Sequence, residues 1–306
     1  MKKFFKFVLT FILMGNAFAS ISSEVFAEEK PAVTVSSSFL YDMVQNLAGD
    51  LVSTEMIIPT GEDPHLYEAR PQDLQKIKSA DLVLYHGLHF EGKMSDILEP
   101  IGVAVTEDFD PNVVGVMDSS SGVAVDPHFW FDIELYQEAT QKAAEALIEL
   151  LPDQEDTITK NLEDYSNQLK DLDKEVEEKI ASIPEDSRYL ITPHDAFNYF
   201  SRAYNIPVRA PQGVTTDSEV SNKDIDDTVD FIVEKKIKAI FAETTTDPAR
   251  MEKLKEAAAA KGFEVKVIRG EGQELFSDSL APEGKEGDKY IEMVRHNVDL
   301  IVNNLK

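Results

Sequence analysis

Cysteine is absent from the 306 residues, which excludes disulfides, thiolate metal ligands and cysteine nucleophiles together. Any metal must then be held by imidazole and carboxylate. Basic residues are scarce: 30 Lys and Arg stand against 57 Asp and Glu, a formal net charge of -27. A field of that sign repels nucleic acid and anionic lipid, so a nucleic-acid partner is not expected. Scattered surface carboxylates solubilise a protein without making a metal site. Long apolar runs are also missing beyond the first residues of the chain, so no membrane span is expected in the remainder. What is there is a 42% hydrophobic content, enough for two lobes, each with a core of its own.

The amino terminus reads Met1-Lys2-Lys3, a mostly apolar run from Phe4 through Met14, and small residues ending at Val25-Phe26-Ala27. This is the pattern of a secretory signal over residues 1–27, with cleavage after Ala27. The mature chain is expected to be exported, soluble and more acidic still, at a cell surface or in a periplasm. Leu13-Met14-Gly15 is the kind of triplet that precedes a lipid-bearing cysteine, but Asn16 occupies that place, so a lipid anchor is not expected.

From Ala32 onward short apolar runs alternate with longer amphipathic ones. The pattern predicts strands at 32–35, 52–58, 81–85 and 101–105, with helices at 39–47, 71–79 and 133–151. After Pro152, apolar residues at 158, 162, 165, 169, 172, 176 and 180 form one stripe at spacings of four and three. They predict a single long helix over 153–182, starting at Asp153. The α/β rhythm then restarts, with strands at 189–192, 206–210, 239–242 and 263–268 and helices at 196–204, 222–235, 248–261 and about 288–303. The expected class is α/β: two lobes with parallel-rich sheets, 28–152 and 183–306, joined by one long rigid helix, 153–182.

The chemistry starts from the histidines, of which there are six, at 65, 86, 89, 128, 194 and 296. Three share a setting: Asp63-Pro64-His65, Asp126-Pro127-His128 and Pro193-His194-Asp195. In each, a proline with fixed φ pre-shapes the backbone before the imidazole. In each, a nearby Asp is placed to accept the second ring N–H, an arrangement that fixes the tautomer of a metal ligand. Ligands of α/β lobes gather at strand carboxyl ends and between domains, where His65 and His194 are expected, with His128 in a loop between the halves. Asp278, in the loop Leu275-Phe276-Ser277-Asp278-Ser279-Leu280, is an acidic residue amid apolar neighbours, and a cation would offset its burial. His86 and His89 read as structural, and His296 as solvated or packed. Glu243 is a candidate to hydrogen-bond a ligand histidine, and Trp130 and Phe131 are expected to pack the lobe interface.

With these residues in place, the chain resembles the cluster A-I (cluster 9) solute-binding proteins, the zinc and manganese receptors of ABC importers. The resemblance covers essentially the whole mature chain. It is carried by Gly61-Glu62-Asp63-Pro64-His65-Leu66-Tyr67-Glu68, Ala80-Asp81-Leu82-Val83, Asp126-Pro127-His128-Phe129-Trp130-Phe131-Asp132, Thr192-Pro193-His194-Asp195-Ala196-Phe197, Gln212-Gly213, Phe241-Ala242-Glu243 and the loop around Asp278. It implies two α/β lobes on a rigid helix with the metal in the interlobe cleft, and ligands at His65, His128, His194 and Asp278. It also implies delivery of that metal to a membrane permease; the protein itself is expected to be a monomer.

Manganese-specific members often carry Glu at the third ligand position, where this chain has His194. Zinc-specialised members often carry a long His-rich loop, which this chain lacks. Three imidazoles and one carboxylate suit tetrahedral Zn²⁺, whereas Mn²⁺ prefers more oxygen, so one bound Zn²⁺ is favoured with Mn²⁺ close behind. Because imidazoles bind metal only when deprotonated, affinity is expected to fall below the ordinary histidine range near 6.5. The alternative is a zinc-dependent hydrolase. That reading needs an open coordination position and a general base, and four protein ligands leave no evident vacancy.

Overall fold

The computed structural model describes residues 30–119 and 122–306; the expected export signal at 1–27 lies outside the described residues. The first lobe opens with β1 (Ala32–Val35), α1 (Ser38–Leu47), β2 (Ser53–Met56), α2 (Pro71–Ser79), β3 (Leu82–Tyr85), the one-turn α3 (Ser95–Leu98) and β4 (Val103–Ala104). The strands form one parallel sheet in the order β2-β1-β3-β4. Val33, Val35, Val83 and Leu84 are buried in it, as expected of strands covered on both faces. Ser37 caps α1, and Pro71 opens α2 at its first turn, where a missing N–H costs nothing.

An antiparallel hairpin, β5 (Val116–Ser119) and β6 (Gly122–Val125), follows, and the sequence reading does not anticipate it. Helix α4 (Ile133–Leu150) starts at Asp132, whose side chain accepts the backbone N–H groups of Glu134 and Leu135. Helix α5 (Glu155–Ala181) is the expected long helix, about 40 Å at 1.5 Å per residue. Asp153 is not its cap; it lies in the short 3₁₀ turn Pro152–Gln154 that leads in. The stripe Ile158, Tyr165, Leu169, Leu172, Val176 and Ile180 is buried as the spacing predicts.

The second lobe contains β7 (Leu190–Ile191), α6 (Asn198–Tyr204), β8 (Val208–Arg209), α7 (Asn222–Lys235), β9 (Ala239–Phe241), α8 (Ala249–Ala260), β10 (Lys266–Ile268) and α9 (Tyr290–Leu305). Its strands pair in parallel as β7 with β8 and β9 with β10. They are shorter than the sequence suggests: β10 begins at Lys266 and not at Phe263, and β8 at Val208 and not at Ile206.

The cores do not stay within the lobes. One hydrophobic cluster runs from Val33 and Phe39 through Trp130 and the α5 stripe to Tyr199, Phe241 and Leu305. Smaller satellite clusters lie under α7 and α8 and beside α2. The expectation of two independent cores is therefore corrected. Helix α5 packs on α1 and α4 from one lobe and on α6 and α9 from the other, so its stripe joins both. Large relative motion of the lobes would expose this shared surface, at about 25 cal/mol for each Å² of apolar area.

Candidate metal centre

The segments leaving four different places in the fold meet at one point. His65 lies beyond the carboxyl end of β2. His128 follows the hairpin and begins the turn Phe129–Phe131. His194 follows β7, where an isolated parallel bridge to Gln212 extends the β7–β8 pairing. A second bridge, Glu243 to Leu275, continues from the end of β9 and carries the chain to Asp278. One ligand-type atom from each of His65, His128, His194 and Asp278 lies within 4.8 Å of every other. All four side chains are buried.

The Asp278 carboxylate sits between two of the imidazoles, 3.3 Å from Nε2 of His128 and 3.3 Å from Nε2 of His194. Those two nitrogens are 3.4 Å apart. Behind each ring stands another carboxylate: Asp126 Oδ1 is 2.7 Å from Nδ1 of His128, and Glu243 Oε2 is 2.5 Å from Nδ1 of His194. Both rings therefore point Nε2 inward with the opposite nitrogen held, the outer-shell arrangement of a metal-ligating imidazole. Ser277 donates to the same Oε2 of Glu243 at 3.2 Å, and Thr245 donates to Asp278 Oδ2 at 3.4 Å.

His65 differs. Neither of its ring nitrogens has a hydrogen-bond partner, although the side chain is buried. Its ring stands edge-on to Phe90 at 5.4 Å between centroids, and 5.4 Å from His128. Gly92 packs against its backbone so closely, at a φ of +49°, that a Cβ there would lie 2.2 Å from the His65 carbonyl oxygen. Only glycine fits at that approach.

The electrostatics divide the ligands. Burial pulls the His65 imidazole down to about 3, so it is neutral and ready to donate a lone pair. Burial pulls His128 the same way, but the charge and hydrogen bond of Asp126, with Asp278, outweigh it and raise it to about 9. His194 is likewise raised well above its usual range, because Glu243 and Asp278 outweigh burial. Burial opposes ionisation of Asp278, yet the two histidines hold its carboxyl well below the usual range. The result is a buried cluster whose negative groups are balanced by protons on His128 and His194. A divalent cation can replace those protons.

Of the three aspartates expected to hold ring nitrogens, only Asp126 does so. Asp63 Oδ1 accepts the His65 backbone N–H at 3.0 Å and does not touch the ring. Asp195 does not hydrogen-bond the His194 ring; Glu243, just past the end of β9, takes that place. His86 is buried, with Nε2 2.7 Å from Ser37 Oγ, and packs edge-on to Phe39 and Trp130 and tilted against Phe90, a packing role. His89 is exposed. His296 packs against Phe276, its Nε2 3.1 Å from the Glu274 carbonyl. Trp130 packs where expected, its indole N–H donating to the Ser277 carbonyl across the lobe interface at 2.9 Å. Thr216, which reaches Asp63 from the second lobe, and Gln212, which holds the Thr216 carbonyl, carry no site signal in the sequence beyond the Gln212-Gly213 pair.

Comparison with known proteins places this arrangement. Residues 33–304 match the family model described as zinc-uptake complex component A, periplasmic. The manganese-binding lipoprotein MntA of Bacillus subtilis is 37% identical over 302 residues, covering 97% of this chain and 96% of its own. The zinc-binding protein TroA of Treponema pallidum is 37% identical over 296 residues, covering 95% and 94%. Among solved structures, one of a TroA protein studied for its metal-binding specificity superposes with a TM-score of 0.90 at 56% identity, covering 91% of this chain and 100% of that one. The T. pallidum TroA structure superposes with a TM-score of 0.85 at 37% identity, covering 90% of this chain and 99% of that one.

Proposed function

The chain belongs to the periplasmic zinc-uptake component A family, and on that premise we propose that it is an extracytoplasmic receptor that captures one divalent transition metal for an ABC importer. The ligands proposed are His65, His128, His194 and Asp278. The observation that carries the reading is the buried imidazole of His65, neither of whose nitrogens finds a hydrogen bond, facing two more imidazoles and a carboxylate. A buried polar group without a partner costs roughly 1–3 kcal/mol, and a cation at the centre of the four would supply the partner.

Two relatives of equal identity are named for different metals, so similarity alone assigns neither ion. The donor set favours Zn²⁺, with Mn²⁺ close behind, since three imidazoles and one carboxylate match tetrahedral zinc. The partner proposed is the membrane permease that receives the metal; the family consists of transport receptors, and we assign this chain no catalytic step, no nucleic-acid partner and no obligate second copy. The division proposed is an export signal at 1–27, lobes at 28–152 and 183–306, and the connecting helix at 153–182. Several relatives are named lipoproteins. The expectation of no lipid anchor, which rests on Asn16, therefore has no support from the family and falls outside the described residues.

Elemental analysis of protein purified without chelator, followed by zinc and manganese titration, tests the proposal. One equivalent of metal is expected; a chain that neither carries nor takes up metal would return the four residues to structural roles.

Affinity should also depend on pH. His128 is raised, so its proton is bound below about 9 and competes with the metal throughout the neutral range. Zinc affinity is therefore expected to rise between pH 6 and 8, by roughly tenfold per pH unit for each proton displaced. This places the fall higher than an ordinary histidine range implies. Competition titration across that interval checks it, and a flat profile would contradict protonated ligands.

Glu243→Ala leaves His194 without the group that fixes its tautomer, and zinc affinity should drop about 10–100-fold. Titration against a chelator of known affinity measures this; unchanged affinity would mean that Glu243 does not orient the ring.

A further inference from the structure

Among the contacts between the lobes, one reaches a metal ligand's own loop from beside the site. Thr216, in the segment between β8 and α7, is 6% exposed and donates its hydroxyl to Oδ2 of Asp63 at 2.6 Å. The other oxygen of that carboxylate accepts the backbone N–H of His65 at 3.0 Å. A single side chain thus ties the backbone of one metal ligand to the opposite lobe.

The Thr216 end of this tie is firmly built. Gln212, paired with His194 through the isolated bridge, donates its side-chain amide to the carbonyls of Thr216 at 2.8 Å and Ser218 at 2.7 Å. Arg250 of α8 donates in turn to the Gln212 side-chain oxygen. The His65 end is the loosest part of the site. His128 and His194 each have a ring nitrogen held by a buried carboxylate, while the His65 ring has only packing contacts. The contact also lies on the solvent side: Gly61, Glu62 and Leu66 are exposed on one flank, and Gly213 and Asp217 on the other. His128, His194 and Asp278 are backed instead by the buried Trp130, Asp126 and Glu243.

We propose that the Asp63–Thr216 hydrogen bond is a latch across the cleft, and that metal enters and leaves when it opens and His65 withdraws with its loop. The inference rests on the metal-binding reading above. While the latch holds, His65 completes the site. When it opens, the remaining three ligands keep their held orientations and the solvent side is free. The permease would then need to break two contacts at the rim of the cleft to unload the metal, the latch and the neighbouring bond from the Gly61 N–H to Ser279 Oγ at 2.8 Å, without unpacking the shared core. A hydrogen bond to a charged acceptor at a half-buried position is strong enough to change opening on the order of tenfold.

Stopped-flow kinetics with Zn²⁺ alone tests this. Trp130 is the only tryptophan, and its ring centroid lies 5.2 Å from that of His128, so its fluorescence reports the site directly. Release is followed into excess chelator. Thr216→Val, which removes the hydroxyl and keeps the shape, is expected to speed both capture and release about tenfold while keeping the wild-type zinc stoichiometry. Thr216→Ser, which keeps the hydroxyl, should behave as wild type. Asp63→Asn, which weakens the same bond from the other end, should move both rates in the direction of Thr216→Val. Wild-type rates in Thr216→Val would overturn the latch, as would faster release with slower capture, the mark of a distorted site. A wild-type chain that takes up no zinc would instead overturn the metal reading, and the latch with it.

Discussion

A His194→Ala chain holds zinc more than about a hundredfold less tightly than wild type, a larger loss than the 10–100-fold expected for an outer-shell group. The substitution removes one of three imidazoles at the site and also the partner of two buried carboxylates. Asp278 Oδ2 loses a neighbour 3.3 Å away, and Glu243 loses the ring nitrogen at 2.5 Å. Glu243, which burial already pushes up, takes a proton rather than remain an unpaired buried charge, so the fold survives while the site does not. The measurement is a zinc titration beside a circular dichroism spectrum. Near-wild-type affinity in a folded variant would remove His194 from the ligand set.

Trp130→Ala unfolds the protein at a temperature lower by on the order of 10 °C. Trp130 is fully buried and stacks on Phe39 at 4.8 Å and against Phe90 at 4.7 Å, between the first lobe's core and the metal site. Deleting so large a side chain costs about 3–5 kcal/mol in lost transfer energy and cavity. The Ser277 carbonyl loses its donor at the same time, adding about 1–3 kcal/mol if no water replaces it. Because Ser277 adjoins Asp278, the variant should weaken zinc binding as well. Calorimetry of the metal-free protein measures the first effect; a melting temperature within a degree or two of wild type would mean that Trp130 is not part of the joint core.

Periodicity made most of the fold legible, and particular residues show where it stopped. The helices Pro71–Ser79 and Asn222–Lys235 have the bounds that the apolar pattern predicts. The α5 stripe was plain because one face of a long helix repeats six times. The pairing of Val116–Ser119 with Gly122–Val125 was not, since two four-residue strands offer too few alternations to stand out. Nor did the stripe reveal that it serves both lobes, which depends on tertiary packing alone.

The site shows the same limit at finer grain. Asp63-Pro64-His65 and Asp126-Pro127-His128 have the same motif, and in both the aspartate accepts the histidine backbone N–H at 3.0 Å. Only Asp126 also reaches the imidazole. Local sequence sets the turn, whereas the direction of the ring is set by what surrounds it: Trp130 and Asp278 at His128, Phe90 and Gly92 at His65. Glu243 was visible as an acidic residue ending a strand near the cleft. Its pairing with His194 required the two strand ends to be brought side by side.

Anomalous diffraction at the zinc edge, from crystals of the zinc-loaded protein, tests the central claim most directly. One peak is expected, enclosed by His65, His128, His194 and Asp278, with zinc about 2.0–2.1 Å from each imidazole nitrogen and about 2.0–2.2 Å from the carboxylate. A peak elsewhere, or one that leaves out two or more of these residues, would contradict it.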